Sequence, residues 1–218
     1  LTLAAMAQNA GVADARITSA KGAETQWIGL TFDPIESRDR AMNLLDEARA
    51  NALAALQSGY AEGAIPPLET IVWIKKALAD STNLAEYQQL LAQAYGDRGE
   101  FEKAVTPGEE AVELLTAESD PSLLAEALMR LGSDASRARQ GDIATSAFER
   151  ARKLFAELER PREELDAIVQ LGITHENMNR FDEAMNAFDE AAKYAATLDD
   201  PILEIEQQRR RSRIAFLR

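Results

Sequence analysis

His175 is the only histidine in the 218 residues, and there is no cysteine. Those two facts thin out the catalytic arrangements before any fold is considered. Thiolate nucleophiles, disulfides and cysteine-rich zinc sites need sulfur. A nucleophile–histidine triad, a His-rich metal site and a His–His acid/base pair are excluded or much weakened with a single imidazole. No G-x-x-x-x-G-K-[ST] or G-x-G-x-x-G loop is present for phosphate, no spaced-Asp calcium loop, and no G-x-S-x-G elbow. Carboxylates are plentiful: Glu109, Glu110 and Glu113; Glu163, Glu164 and Asp166; Asp199 and Asp200. A glycosidase needs two across a cleft. These fall on exposed helix faces or near helix N-termini, where the dipole favours negative charge. No catalytic residue, cofactor or metal is expected, and the chain reads as a non-enzyme.

The elements that position these residues read as helices. Apolar residues make up 46% but aromatics only 6%, so alanine and leucine supply the core, and with Glu, Arg and Gln they favour helix over strand. Proline and glycine are too few for a sandwich or barrel. The formal charge of −13 repels phosphate backbones, so nucleic acid is not an expected partner. The charge is uneven: five arginines against two glutamates give Pro201–Arg218 a net +3 and leave −16 for the rest. No apolar run is long enough to span a membrane. Leu1–Ala7 reads in two ways. It resembles the tail of a signal peptide, with Ala5-Met6-Ala7 and Ala13-Asp14-Ala15 fitting small-x-small cleavage, which implies a periplasmic or secreted protein. Otherwise it is an Ala-rich helical lead-in and the protein cytoplasmic. Residue 1 is not Met and is not expected to be the native start.

Self-similarity organises the remainder. Ala64, Ala104, Ala144 and Ala184 recur at 40 residues, as do Ile71, Ala111, Ala151 and Ala191. Phe148 and Phe188, Leu91, Leu131 and Leu171, and the small Ala92, Gly132 and Gly172 keep the same period. So do Pro121, Pro161 and Pro201, and Pro67 with Pro107. Four repeats follow, about 45–84, 85–124, 125–164 and 165–204, and then the first helix of a fifth over 201–218. Each reads as two helices. In the last full repeat Pro161 opens helix A, where a missing N–H loses no bond. Leu165, Ile168, Val169, Leu171 and Gly172 form its apolar stripe, Asn179-Arg180 the turn, and Phe181, Ala184, Met185, Phe188 and Ala191 the buried face of helix B. Gly172 and Ala184 are small where helices cross, and Phe188 is expected to fill the gap between neighbouring repeats. Residues 1–36 form an extension with a strand-like apolar island, Trp27–Phe32. From Ser37 a helical pattern runs through Ala41, Leu44, Leu45, Ala48, Ala52, Ala55 and Leu56, so 37–218 is expected to be the repeat domain.

This pattern resembles the tetratricopeptide repeat family over about residues 45–218. Leu171-Gly172, His175, Ala184, Phe188 and Ala191 carry the resemblance best; Leu131-Gly132, Ala144, Phe148 and Ala151 follow. Gly108 departs from it where a Phe is expected, and the first repeat is degenerate. The family's usual period is 34; a 40-residue version resembles the longer variants of kinesin light chains and some bacterial regulators. The resemblance implies an all-α fold, a right-handed α-solenoid of antiparallel helix pairs, and a protein or peptide bound on the concave face lined by the A helices. Carried over, the groove positions are Glu86, Gln89, Leu90 and Gln93; Glu126, Met129, Arg130, Ser133 and Arg137; Asp166, Val169, Gln170, Ile173 and Asn177. Met129, Val169 and Ile173 give it an apolar middle, which suits an extended or helical peptide. The lysine and asparagine that clamp a chaperone's C-terminal carboxylate in some relatives are Gln89 and Gln93 here, with Arg130 the only matching cation, which excludes that ligand.

The expected role is a binding scaffold, or alternatively a sensor repeat controlling an attached effector. His175, at the repeat position of Tyr95 and Ala135, reads as a packed residue or as a pH-sensitive contact. Arg209, Arg210, Arg211 and Arg213 read as a polar cap on the stack or as a contact for an acidic partner, and self-association through the terminal helices is also allowed. The Trp27–Phe32 segment would occupy the groove or cap the first repeat.

Overall fold

The computed structural model describes residues 36–118, 120–198 and 201–217. Among them are nine α-helices and no strand, the all-α fold expected. The Trp27–Phe32 segment and the two cleavage patterns lie outside the described residues. The chain divides into two compact units between Thr82 and Asn83.

In the first unit, α1 (Glu36–Gln57) packs against α2 (Ala61–Ala77). Leu45, Ala48 and Ala52 of the periodic stripe are buried, with Ala64, Ile65, Leu68, Ile71 and Ile74 of α2. Lys75 is 1% exposed and donates to Asp80 Oδ2 at 2.6 Å. That bond, helped by the Thr82 N–H, holds the Asp80 carboxyl down at about 2 and ties the end of α2 to the following turn.

The second unit contains α3 (Leu84–Asp97), α4 (Phe101–Glu118), α5 (Pro121–Arg137), α6 (Gly141–Glu157), α7 (Pro161–Asn177), α8 (Phe181–Thr197) and α9 (Pro201–Leu217). Each packs on the next along the chain, and α5 also meets α7. The helix starts fit the 40-residue spacing: Ala61, Phe101, Gly141 and Phe181 for one set, Pro121, Pro161 and Pro201 for the other. Helices of 17 residues alternate with three-residue connections from α6 onward, which accounts for a repeat longer than 34.

The connections share one geometry. Residues 59, 79, 99, 139, 159 and 179 all have positive φ. The next N–H reaches back five residues to a carbonyl, as in Arg160 to Phe155 at 2.9 Å and Arg180 to His175 at 2.8 Å, which closes the helix end. Only two of the six are glycine; Ala79, Arg139, Glu159 and Asn179 hold the left-handed conformation with a Cβ. That is strained for all but Gly and, more mildly, Asn. Glu159 is exposed, so Glu159→Gly removes strain and no burial. After the extra chain entropy of glycine is deducted, a gain of about 0.5–1 kcal/mol is expected. Urea unfolding checks it, and an unchanged or lower midpoint would contradict the strain.

Ring-on-glycine contacts set the helix spacing inside the repeats. A Cβ on Gly132 would fall 2.6 Å from Phe148 Cε1, and one on Gly172 2.5 Å from Phe188 Cε1. Phe188 therefore packs on helix A of its own repeat, and it also reaches the next one, as expected, in a cluster with Ala184 and Ile214 of α9. In α4 the ring is missing at Gly108, and Leu131 takes the space, with Cδ1 3.2 Å from where that Cβ would stand. The facing residue is then Ala92, since no ring demands a glycine there.

Candidate functional site

Helices α3, α5 and α7, the first members of three successive pairs, line a cleft of about 400 Å³. It lies wholly within the second unit. Gln93, Gly96 and Asp97 come from α3, with Phe101 at the start of α4. Glu126, Met129, Arg130, Ser133, Asp134 and Arg137 come from α5; Asp166 and Gln170 come from α7, with Phe148 behind. The α5 set follows helical spacing, so one face of one helix forms the floor.

Of the groove residues expected from sequence, Gln93, Met129, Arg130, Ser133 and Arg137 come together here, with Glu126, Asp166 and Gln170. Gln89 is half-buried on α3 and Asn177 exposed at the end of α7; neither lines the cleft. Val169 is 6% exposed and packs with Leu165, Ile168, Ala191 and Ala195, so its apolar nature belongs to the core. Ile173 is half-buried against that cluster and the Phe188 cluster. Met129 is the apolar wall residue of the predicted set, half-buried against the main core.

Four of the polar wall residues have partners of their own. Arg137 lies 5.1 Å from the centre of the Phe101 ring. Arg160 donates to Glu126 at 3.0 Å, and Gln170 to Asp166 at 3.4 Å. Asp134 differs. It is 8% exposed, and no described side chain or backbone N–H donates a hydrogen bond to its carboxylate. Burial pushes the carboxyl up to about 6, against the downward pull of Arg130 and Arg137, neither of which makes an ion pair with it. Sequence reading passed over Asp134, Gly96, Asp97 and Phe101. A signal for Asp134 was present: 40 residues on either side stand Ala94 and Thr174, each 1% exposed, so a charge occupies a buried register position.

A second hollow, of about 630 Å³, lies on α4, α5 and α6, with Val112, Leu128, Leu131 and Ala147 in its walls and Glu109, Glu113, Asp142 and Arg150 around it. Its apolar walls are core side chains, and it brings no buried polar group to a point. His175 is half-buried, with Nδ1 shielded and meeting no hydrogen-bond partner among the described residues, and burial lowers its pKa. On α9, Arg211 pairs with Asp189 and Arg213 with Glu176, which ties this helix to α8 and α7. No helix among the described residues is long and apolar enough to cross a membrane, and no group of three or more His, Asp or Glu is gathered as for a metal ion.

Successive helix hairpins whose first helices line a common cleft define a helical-repeat protein. Residues 165–197, within the α7–α8 pair, match the tetratricopeptide repeat. The fold is similar to the TPR-like repeats of a kinesin light chain of Podosopora anserina, at 19% identity and a TM-score of 0.61, over 83% of this chain and 87% of that one. It is also similar to aspartyl phosphate phosphatase F of Bacillus subtilis, at 19% identity and TM-score 0.56, over 84% of this chain and 46% of that one. A third likeness is to a Signal Transduction ATPase with Numerous Domains protein with a tetratricopeptide repeat sensor from Pyrococcus horikoshii, at 14% identity and TM-score 0.57, over 82% and 28%. No curated protein matches the chain.

Proposed function

We propose that the chain is a protein-interaction scaffold and that the α3–α5–α7 cleft receives a peptide segment of its partner. The observation that carries this is the convergence on one cleft of Gln93 from α3, Met129, Arg130, Ser133 and Arg137 from α5, and Asp166 and Gln170 from α7. A half-buried Met129 with polar residues around it suits a peptide in extended or helical form. The alternative makes the same cleft a sensor whose occupation is passed to an attached effector. Its support is the likeness in fold to two larger proteins, one described as having a tetratricopeptide repeat sensor.

The test is selection of displayed peptides on the whole chain, followed by affinity measurement with Met129→Asp and Ser133→Arg. Each substitution is expected to weaken binding about tenfold or more, because it puts an unpaired charge or excess bulk into the contact. Binding that ignores both places the peptide elsewhere and rejects the cleft. Selected peptides that bind tightly without changing the scattering profile of the chain would favour the scaffold over the sensor.

A further inference from the structure

Asp134 has no structural duty that explains a carboxylate. The same step from one A helix to the next can be compared twice. From α5 to α7, Thr174 meets Ser136, hydroxyl to hydroxyl at 3.3 Å. From α3 to α5, the matching residues are Gly96 and Asp134, and the carboxylate finds no side chain: its Oδ1 lies 3.1 Å from where a Cβ on Gly96 would stand. An acceptor bearing a charge is therefore set where a neutral pair would close the contact, and it borders the cleft. A largely buried carboxylate with no side-chain donor, open only to the water of the cleft, is poorly compensated and gains from a charged donor that enters there.

The surroundings select the kind of donor. Asp97, Glu126, Asp134 and Asp166 line the cleft against Arg130 and Arg137, so the walls carry more negative than positive charge. Arg137 is drawn toward the Phe101 ring. The unfilled need is for a positively charged N–H donor.

We propose that Asp134 is the specificity residue of the cleft and takes a lysine or arginine side chain of the partner peptide, whose N–H groups bond the carboxylate beside Gly96. The inference rests on the peptide-binding reading above and adds the chemistry of the peptide. Met129 contacts the neighbouring apolar part of the ligand, and Asp134 demands the charge. No bond is made or broken; the gain is a charge-assisted hydrogen bond in a shielded place.

The probes are the peptides selected on the whole chain, resynthesised with blocked termini and with each lysine replaced in turn by norleucine and each arginine by citrulline. One cationic position is expected at which the neutral residue weakens binding about tenfold or more. In Asp134→Asn and Asp134→Thr that discrimination is expected to vanish while the dependence on Met129 persists. The threonine is the residue that position 174 holds, so thermal unfolding should report both variants folded. Neutral replacements that cost the same on parent and variants, or selected peptides without a cation, would overturn the inference and leave the cleft reading standing. Loss of the Met129 dependence would overturn both.

Discussion

Phe188→Ala is expected to lower the unfolding free energy of the parent by about 3–5 kcal/mol, and Gly172→Ala to change sign in its presence. The first figure is the usual cost of emptying the space of a fully buried ring, and Phe188 is 0% exposed. The second follows from the 2.5 Å approach between Phe188 and a Cβ on Gly172. In an open helix alanine is favoured over glycine by about 1 kcal/mol. In the parent, the ring must move and overpacking outweighs that preference, for a net loss of about 1–2 kcal/mol. With the ring gone only the preference remains, and alanine stabilises by about 1 kcal/mol. Urea unfolding of the four proteins of the double-mutant cycle measures both numbers. If Gly172→Ala stabilises the parent, the ring-on-glycine contact does not set the helix spacing.

Asp134→Asn is expected to raise stability by about 1–2 kcal/mol at pH 8 and to give no gain near pH 3. The sign follows from burial. The Asp134 carboxyl is pushed up to about 6 from an ordinary 3.8, so between those values the folded chain binds the proton more readily than the unfolded chain. Its protonation therefore favours the fold fully below pH 3.8, and that benefit is lost as the pH rises through 6. The figure is set below the full linkage value because the cleft admits water. His175 works the other way. Burial holds it below 6.5, so it withdraws stability as the pH falls under that value. Comparing variant with parent at each pH cancels the His175 contribution. A difference that is flat from pH 3 to 8 would mean that the Asp134 carboxyl titrates alike in the folded and unfolded chain, so that burial does not perturb it. A residue that weakens the fold at neutral pH while bordering a cleft is where function and stability part company.

Much of the fold was legible because its determinants are local and periodic. Pro121 and Pro161 sit at the first turns of α5 and α7, as their ring geometry requires. Gly132 with Phe148, and Gly172 with Phe188, are contacts that a single period lines up. The helix ends were legible only in part. Gly59, Gly99 and Asn179 announce a left-handed turn, but Ala79, Arg139 and Glu159 adopt the same conformation with no local preference for it. There the packing of two helices imposes the turn.

The cleft was half legible for a related reason. Offsets along helix A found Met129, Arg130, Ser133 and Arg137, because α5 is amphipathic enough for its outward face to be unambiguous. The same offsets took Val169 for a groove residue, although α7 buries a broader stripe that includes Ala167, Ile168 and Val169. Asp134 was missed because its register belongs to the core in the other repeats. Polarity at a buried register position, more than apolarity at an exposed one, was the informative departure.

The most direct test uses the methionines as reporters. The chain has five, and labelling their methyl carbons for NMR gives a probe at Met129 in the cleft, with Met42 on α1 and Met178 and Met185 away from it. Titration of a selected lysine-containing peptide into the whole protein is expected to shift the Met129 methyl and to leave Met42, Met178 and Met185 in place. A peptide that binds, shifts Met178 or Met185 and leaves Met129 unmoved would contradict the account.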